Sequence, residues 1–135
     1  MQIKCGTDII EIARIKETIE DTDGAFLKRV YTQSEIAYCE AKKKMKYQHY
    51  AARFAAKEAT FKAISEFFAP YEITWKDIEV TNDENGRPII QLIRKTNSKP
   101  SKHRHKPIPL QRICHRQCRN FMYVGAIMPY NIKTK

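Results

Sequence analysis

Three observations predict an α+β fold: an apolar, β-branched opening segment, a long alanine-rich stretch with helical spacing, and two short strand-like runs joined by a glycine-containing turn. A chain of 135 residues, 42% of them apolar, can bury one modest core but hardly two independent ones. No run approaches the roughly 18 apolar residues that a membrane span requires. The opening Met1-Gln2-Ile3-Lys4-Cys5-Gly6 lacks the apolar run and cleavage pattern of a signal peptide, so a cytoplasmic location is expected.

Residues 3–10 have the β-branched character of a strand, with Asp8 near its end. Residues 12–20 favour a turn or short helix with Arg14 and Lys16 on its polar surface. Asp21-Thr22-Asp23-Gly24 reads as a turn, and residues 25–30 as a further helical turn. Thr32-Gln33-Ser34-Glu35 has the form of a capping box, in which Thr32 caps the helix and Glu35 reaches back to it. That signal predicts a helix running to about Met45, with Ile36, Tyr38 and Cys39 on one side and residues 42–46 solvated.

A long helix is expected from Tyr47 or His49 to Phe67 or Phe68. Ala51, Ala55, Ala59 and Ala63 recur every fourth position, so one face can approach a neighbouring backbone closely, while Phe54, Phe61, Ile64 and Phe68 add bulk beside it. Pro70 ends the run, having no amide donor and a ring that clashes with the preceding turn. Residues 75–80 and 87–93 alternate as strands around a turn at residues 82–86, which predicts a hairpin.

Charge divides the chain into a body, residues 1–93, and a basic tail, residues 94–135. Residues 1–92 hold 14 Lys or Arg and all 15 Asp or Glu, whereas residues 93–135 hold the other 11 bases and no acid. The formal net charge of +10 therefore belongs to the tail. Between residues 96 and 107 the tail is polar and proline-interrupted, with little capacity for a core. Residues 121–128 are apolar enough to pack against the body or add a strand.

Four cysteines, at positions 5, 39, 114 and 118, do not form a disulfide framework in a chain without export signals. Cys5 and Cys39 read as small buried side chains. Cys114 and Cys118, with His103, His105 and His115, can be read as a zinc site, but their spacing is only loosely diagnostic.

The chemistry concentrates in two segments. Gly6-Thr7-Asp8-Ile9-Ile10-Glu11-Ile12 sets a carboxylate among apolar strand positions, and residues 51–63 set Glu58 in a helix otherwise rich in bases. If both segments lie in one core, Asp8 and Glu58 can converge on a divalent ion, and two carboxylates plus water and substrate oxygens are the usual way a protein holds magnesium. Quieter readings exist for each. Asp8 can cap the turn after its strand, and Glu58 can pair with Lys62 across one helical turn. Lys57 and Lys62 can simply be solvated, Arg53 can hold a phosphate or an adjacent acid, and Gly86 can serve a plain hairpin turn.

The segment from Gly6 to Ile15 resembles the first signature of the holo-acyl-carrier-protein synthase family, and Arg53-Phe54-Ala55-Ala56-Lys57-Glu58-Ala59-Thr60-Phe61-Lys62-Ala63 resembles its second. Between them, Tyr31-Thr32-Gln33-Ser34-Glu35-Ile36-Ala37-Tyr38-Cys39 is similar to the family's intermediate pattern, and Gly86-Arg87-Pro88 to a later loop. The motifs fall in family order across residues 3–93. The resemblance implies a phosphopantetheinyl-transferase fold, with a long helix packed on a small antiparallel sheet. It further implies transfer of 4′-phosphopantetheine from coenzyme A to a serine of apo-acyl-carrier protein, with release of adenosine 3′,5′-bisphosphate.

By the same resemblance, Asp8 and Glu58 are the magnesium carboxylates. Glu58, directly or through a bound water, receives the serine proton, and Lys62 stabilises the departing phosphate. Arg53, Lys57, Lys62, Gly86, Arg87 and Pro88 are placed to bind coenzyme A. Arg14, with Lys16, Lys28 and Arg29 broadening the contact, meets the acidic carrier protein. The assembly implied is a homotrimer with each active site at a subunit boundary, and no membrane.

The tail departs from this pattern, because the family's terminal strand pair, with its serine-histidine motif, is not recognisable after Ile93. A divergent, replaced or frameshifted C-terminus is expected, and His103, His105 and His115 inherit no role from it. Two other functions follow from that departure: an inactive scaffold that binds carrier protein or coenzyme A, and nucleic-acid binding by the basic tail, which lacks a recognition helix.

Overall fold

The computed structural model describes residues 2–65, 73–93, 112–118 and 120–130. Strand β1 (Gln2–Glu11) leads directly into helix α1 (Ile12–Asp21), followed by α2 (Ala25–Val30), α3 (Gln33–Glu40) and the long α4 (Lys46–Ile64). The hairpin β2 (Ile78–Asn82) and β3 (Pro88–Leu92) comes next, then β4 (Arg112–Cys118) and β5 (Phe121–Tyr130). The architecture is α+β, as expected. An antiparallel sheet of order β1-β5-β4 lies against α4, and the β2-β3 hairpin packs beside it.

β1 shows strand periodicity in its burial. Gly6 is buried, and Asp8 and Ile10 are half-buried, while Ile3, Cys5, Thr7 and Ile9 are exposed on the opposite face. Cys5 is thus outward-facing, contrary to expectation, whereas Cys39 is buried as expected. Burial of the Cys39 thiol pushes its pKa up to about 12, so it stays protonated.

Ala55, Ala59 and Ala63 of α4 are all buried. Their approach to β1 is so close that a Cβ on Gly6 would lie 1.9 Å from the Ala59 carbonyl oxygen. Beyond β1, the buried Met122, Val124 and Ala126 of β5 continue the same face, with Gly6 opposite Ala126 and Asp8 opposite Val124.

The capping box forms as predicted: Glu35 N–H donates to Thr32 Oγ1 at 3.3 Å and Thr32 N–H donates to Glu35 Oε2 at 2.8 Å. α3 ends earlier than its composition suggests, at Glu40, because the chain turns through Lys43 at φ 50° into a 3₁₀ turn, Lys43–Met45. Trp75–Asp77, expected as strand, is also a 3₁₀ turn, closed by the Thr74 N–H and hydroxyl donating to Asp77 Oδ2, both at 2.7 Å. The predicted end of the long helix at Phe67 or Phe68, and Pro70, lie outside the described residues.

The stretch read as a basic tail supplies two of the three strands in the main sheet. β5 pairs with β1 along its whole length, from Gln2 opposite Tyr130 to Glu11 opposite Phe121, and with β4 on its other edge. Its buried residues alternate, so a run of modest hydrophobicity suffices for a central strand. Among the described residues, no helix is long and apolar enough to cross a membrane.

Replacing Gly6 by Ala forces the strand and helix apart over their shared seam. The expected outcome is destabilisation of about 3 kcal/mol, at the upper end of typical overpacking. Thermal melting monitored by circular dichroism should show a clear drop in Tm, and an unchanged Tm would contradict the close approach.

Candidate active site

Asp8 and Glu58 are brought together by the same seam. β1 delivers Asp8 on the face turned to α4, and Glu58 precedes Ala59 at the rim of the helix. Lys62, one turn beyond Glu58, donates to Asp8 Oδ1 at 2.8 Å and to the Thr7 carbonyl at 3.3 Å. The Asp8 side chain is 14% exposed and that of Lys62 is 52% exposed, so the ion pair lies at a solvent boundary. Burial raises the Glu58 pKa above its ordinary value, the nearby Asp8 charge raises it further, and Lys62 partly offsets both. Lys62 is shifted up as well, chiefly by its hydrogen bond to Asp8.

Two acids and one lysine leave a net negative charge at an accessible rim, a donor set that fits a hard divalent cation. Among the described residues, no cluster of three or more His, Cys, Asp or Glu could hold a metal. A cation at Asp8 and Glu58 would therefore complete its coordination with water and substrate oxygens. Cys114, His115 and Cys118 fall on β4, but their side chains, like the whole of His103 and His105, lie outside the described set.

Arg53 occupies another side of α4. It lies five positions before Glu58, which at about 100° per residue turns the two side chains about 140° apart around the axis. There Arg53 lies over Tyr38, 3.9 Å from guanidinium carbon to ring centroid, and donates to Asn82 Oδ1 at 2.9 Å. It is 5% exposed, and its Nε–H is buried without a hydrogen-bond partner among the described residues. Arg53 lines a half-open cleft of about 160 Å³ with Tyr38, His49, Asn82, Gly86 and Pro88. Burial lowers the His49 pKa, and the Arg53 and Lys42 charges lower it further.

Gly86 adopts φ 76°, the left-handed turn that its position suggested, and its carbonyl accepts from the Asn82 side chain at 2.9 Å. Arg87 is exposed, and its N–H donates to Asp83 Oδ1 at 2.8 Å. The predicted site residues thus form two groups, with Asp8, Glu58 and Lys62 on one side of α4 and Arg53, Gly86 and Pro88 on the other. Tyr38, His49 and Asn82 were not singled out as site residues in the sequence. Tyr38 could have been flagged as an aromatic one residue before the buried Cys39.

Lys57 does not reach a ligand surface. It is fully buried, its ammonium 2.7 Å from Glu35 Oε2, and it donates to the carbonyls of Val30 at 3.0 Å, Trp75 at 3.0 Å and Ile78 at 2.6 Å. Burial lowers its pKa, against an upward pull from Glu35. The expectation that it binds coenzyme A is corrected accordingly: every polar contact of its ammonium is internal. Arg14 and Lys16 on α1, and Lys28 and Arg29 on α2, are all exposed, as a docking surface requires.

A family model described as the 4′-phosphopantetheinyl transferase superfamily matches residues 4–118. The chain is 46% identical over 92 residues to a holo-[acyl-carrier-protein] synthase of Ruminiclostridium cellulolyticum, covering 68% of each chain. A protein of the same name from Clostridium tetani is 48% identical over 92 residues, covering 68% of this chain and 70% of that one. The fold is similar to a crystal structure of a holo-(acyl-carrier-protein) synthase from Bacillus anthracis in complex with CoA (3′,5′-ADP). That likeness has a TM-score of 0.67 and 27% identity, and covers 93% of this chain and 94% of the other. The chain belongs to the 4′-phosphopantetheinyl transferase superfamily. Within it, the relatives named here are holo-[acyl-carrier-protein] synthases.

The raised pKa of Glu58 gives a stability prediction with a definite sign. An acid whose folded pKa lies above its unfolded value is penalised in its ionised form, so the penalty is present at neutral pH and vanishes as pH falls below the unfolded pKa. Glu58→Gln should therefore melt at a temperature equal to or above the wild type at pH 7, and lose that advantage on acidification. Melting curves from pH 7 to pH 4 check this, and a lower Tm throughout would contradict it.

Proposed function

We infer that this chain transfers 4′-phosphopantetheine from coenzyme A to a serine hydroxyl of apo-acyl-carrier protein, releasing adenosine 3′,5′-bisphosphate. The observation that carries this reading is the Asp8–Glu58 carboxylate pair with Lys62 beside it, at the rim of α4, in a member of this superfamily. The serine oxygen forms a bond to the pantetheine-bearing phosphorus as the bond to the 5′-phosphate oxygen breaks. Glu58, with its proton affinity raised, accepts the serine proton directly or through water. Lys62 follows the charge onto the departing phosphate, and its exposed side chain leaves it room to move from Asp8. A magnesium ion held by Asp8 and Glu58 would supply further neutralisation of the pyrophosphate charge.

Arg53 meets a phosphate of the nucleotide portion with its unpartnered Nε–H, and the Gly86-Arg87-Pro88 turn presents backbone beside it. Arg14, Lys16, Lys28 and Arg29 steer the acidic carrier protein to the site. Since Arg53 and Glu58 face different sides of α4, one coenzyme A is read as bridging the Glu58 side of one copy and the Arg53 side of another. The exposed face of β1 supports self-association, with Ile3 64% and Ile9 61% exposed beside Phe121 of β5 at 45%. The reading is a homotrimer acting in the cytoplasm.

Mass spectrometry of apo-acyl-carrier protein after incubation with coenzyme A, with and without magnesium, tests the reaction. A phosphopantetheine mass gain on serine is expected only with the metal, and Asp8→Ala should lower the rate by roughly 100-fold or more while leaving the fold intact. No mass gain from the folded wild type would reject the activity.

The shared site has its own test. Asp8→Ala and Arg53→Ala are each expected to be inactive alone. After co-refolding in equal amounts, the whole population should regain roughly a quarter of wild-type activity, because about one interface in four pairs two intact halves, or about one in three within each mixed trimer. Absence of recovery in demonstrated mixed oligomers would reject the bridged site.

A further inference from the structure

We propose that the buried Lys57–Glu35 pair is a positioning device that fixes the rotation of α4 and thereby sets where Glu58 meets Asp8. The inference rests on the reading of Asp8 and Glu58 as the metal carboxylates. Lys57 immediately precedes Glu58, and both members of the pair are fully enclosed, with no exposed side-chain surface. The Lys57 ammonium has four acceptors for its three protons: Glu35 Oε2, and the carbonyls of Val30, Trp75 and Ile78. These come from the end of α2, the N-terminal turn of α3, the 3₁₀ turn and the start of β2, so one side chain of α4 is tied to four elements in two stretches of chain.

Glu35 is itself held. Its Oε1 accepts from Val80 N–H at 2.9 Å, and its Oε2 accepts from Thr32 N–H at 2.8 Å. The anchor is therefore fixed to the N-cap of α3 and to the middle of β2 independently of Lys57.

The closest approach to β1 is Gly6 against Ala59 and Ala63, small residues that set the distance between strand and helix without interlocking them, and the Lys62 bridge to Asp8 and the Thr7 carbonyl lies at the solvent rim, so the seam resists rolling less than a buried charged pair does. With a side-chain radius of about 5–6 Å, a roll of about 10° displaces a carboxylate by roughly 1 Å. Displacement of that size can cost about 100-fold in rate. Lys57 and Glu35 act through Glu58 without touching substrate, which makes them positioning residues.

The test uses the full chain with two variants. Glu35→Asp keeps both charges but withdraws the carboxylate by one methylene, and Glu35→Gln combined with Lys57→Met removes both charges together. Mn²⁺ is titrated into each protein with coenzyme A present and followed by electron paramagnetic resonance, and kcat and KM are measured separately. The expected result is a cooperatively melting protein in which Mn²⁺ affinity falls about tenfold and kcat falls roughly 10- to 100-fold, with KM for the carrier protein within threefold of wild type. Wild-type Mn²⁺ affinity and kcat in either folded variant would overturn the proposal. Loss of cooperative melting in both would also overturn it, since the pair would then serve folding alone. Glu58→Gln separates the two levels. If it binds Mn²⁺ as the wild type does, the metal-carboxylate reading fails; if it loses the metal while the pair variants keep it, only the positioning role fails.

Discussion

Gly6 allows a strand to lie on a helix at a separation that any Cβ would prevent, with the Ala59 carbonyl only 1.9 Å from where that atom would sit. The alanines of α4 make the opposite half of the contact. Small residues on both sides bring the two backbones together, and the polar groups flanking the seam are carried with them. Asp8 lies two residues beyond Gly6 on the same face, and Glu58 is adjacent to Ala59. Packing of groups with no chemistry of their own thus brings two carboxylates together, despite their mutual repulsion and partial desolvation.

That proximity is unfavourable for the fold and useful for the site. A carboxylate pushed above its ordinary pKa by burial and a second acid holds a proton more readily, which suits the proton-accepting role proposed for Glu58, while stability alone would favour keeping the acids apart. Lys62 moderates the conflict without removing it, because one ammonium neutralises only one of the two charges. The fully buried Lys57 represents a different use of the same residue type. Its charge is matched by Glu35 and by three backbone carbonyls, so its desolvation is offset by a fixed set of partners. Five positions apart on one helix, the first lysine is held in the interior and the second meets the solvent rim.

The sequence made some of this legible and obscured the rest for specific reasons. Asp8 stood out because a carboxylate within an apolar strand has few structural uses, and the Thr32–Glu35 capping box is a local signal that the structure reproduces. Lys57 was misread because a lysine among alanines looks solvated. Its partner lies 22 residues away in a side chain already accounted for as a cap, and nothing local shows that Oε2 of Glu35 has room for a second donor. Trp75–Asp77 was misread because alternating polarity competed with the Thr74–Asp77 box, and the local hydrogen bonds prevailed. At Lys43 the lysine run suggested a continuing helix, but a single left-handed residue ended it. The separation of Arg53 from Glu58 was available from helical geometry alone, since five residues place two side chains well apart around the axis.

The C-terminal strands show why a break in sequence pattern need not be a break in fold. β5 is paired on both edges, so its place is secured largely by backbone groups that every residue type except proline supplies in full. What its side chains must provide is limited to apolar alternation, which Met122, Val124 and Ala126 supply, with the smallest of them, Ala126, opposite Gly6. Many sequences satisfy so loose a requirement. The curated relatives match over 92 residues, whereas the likeness to the Bacillus anthracis structure covers 93% of this chain at only 27% identity. A basic, weakly patterned segment can therefore complete the sheet while losing resemblance to its counterparts. The carboxylate pair tolerates no such freedom, because the chemistry proposed for it depends on particular atoms at one edge of α4.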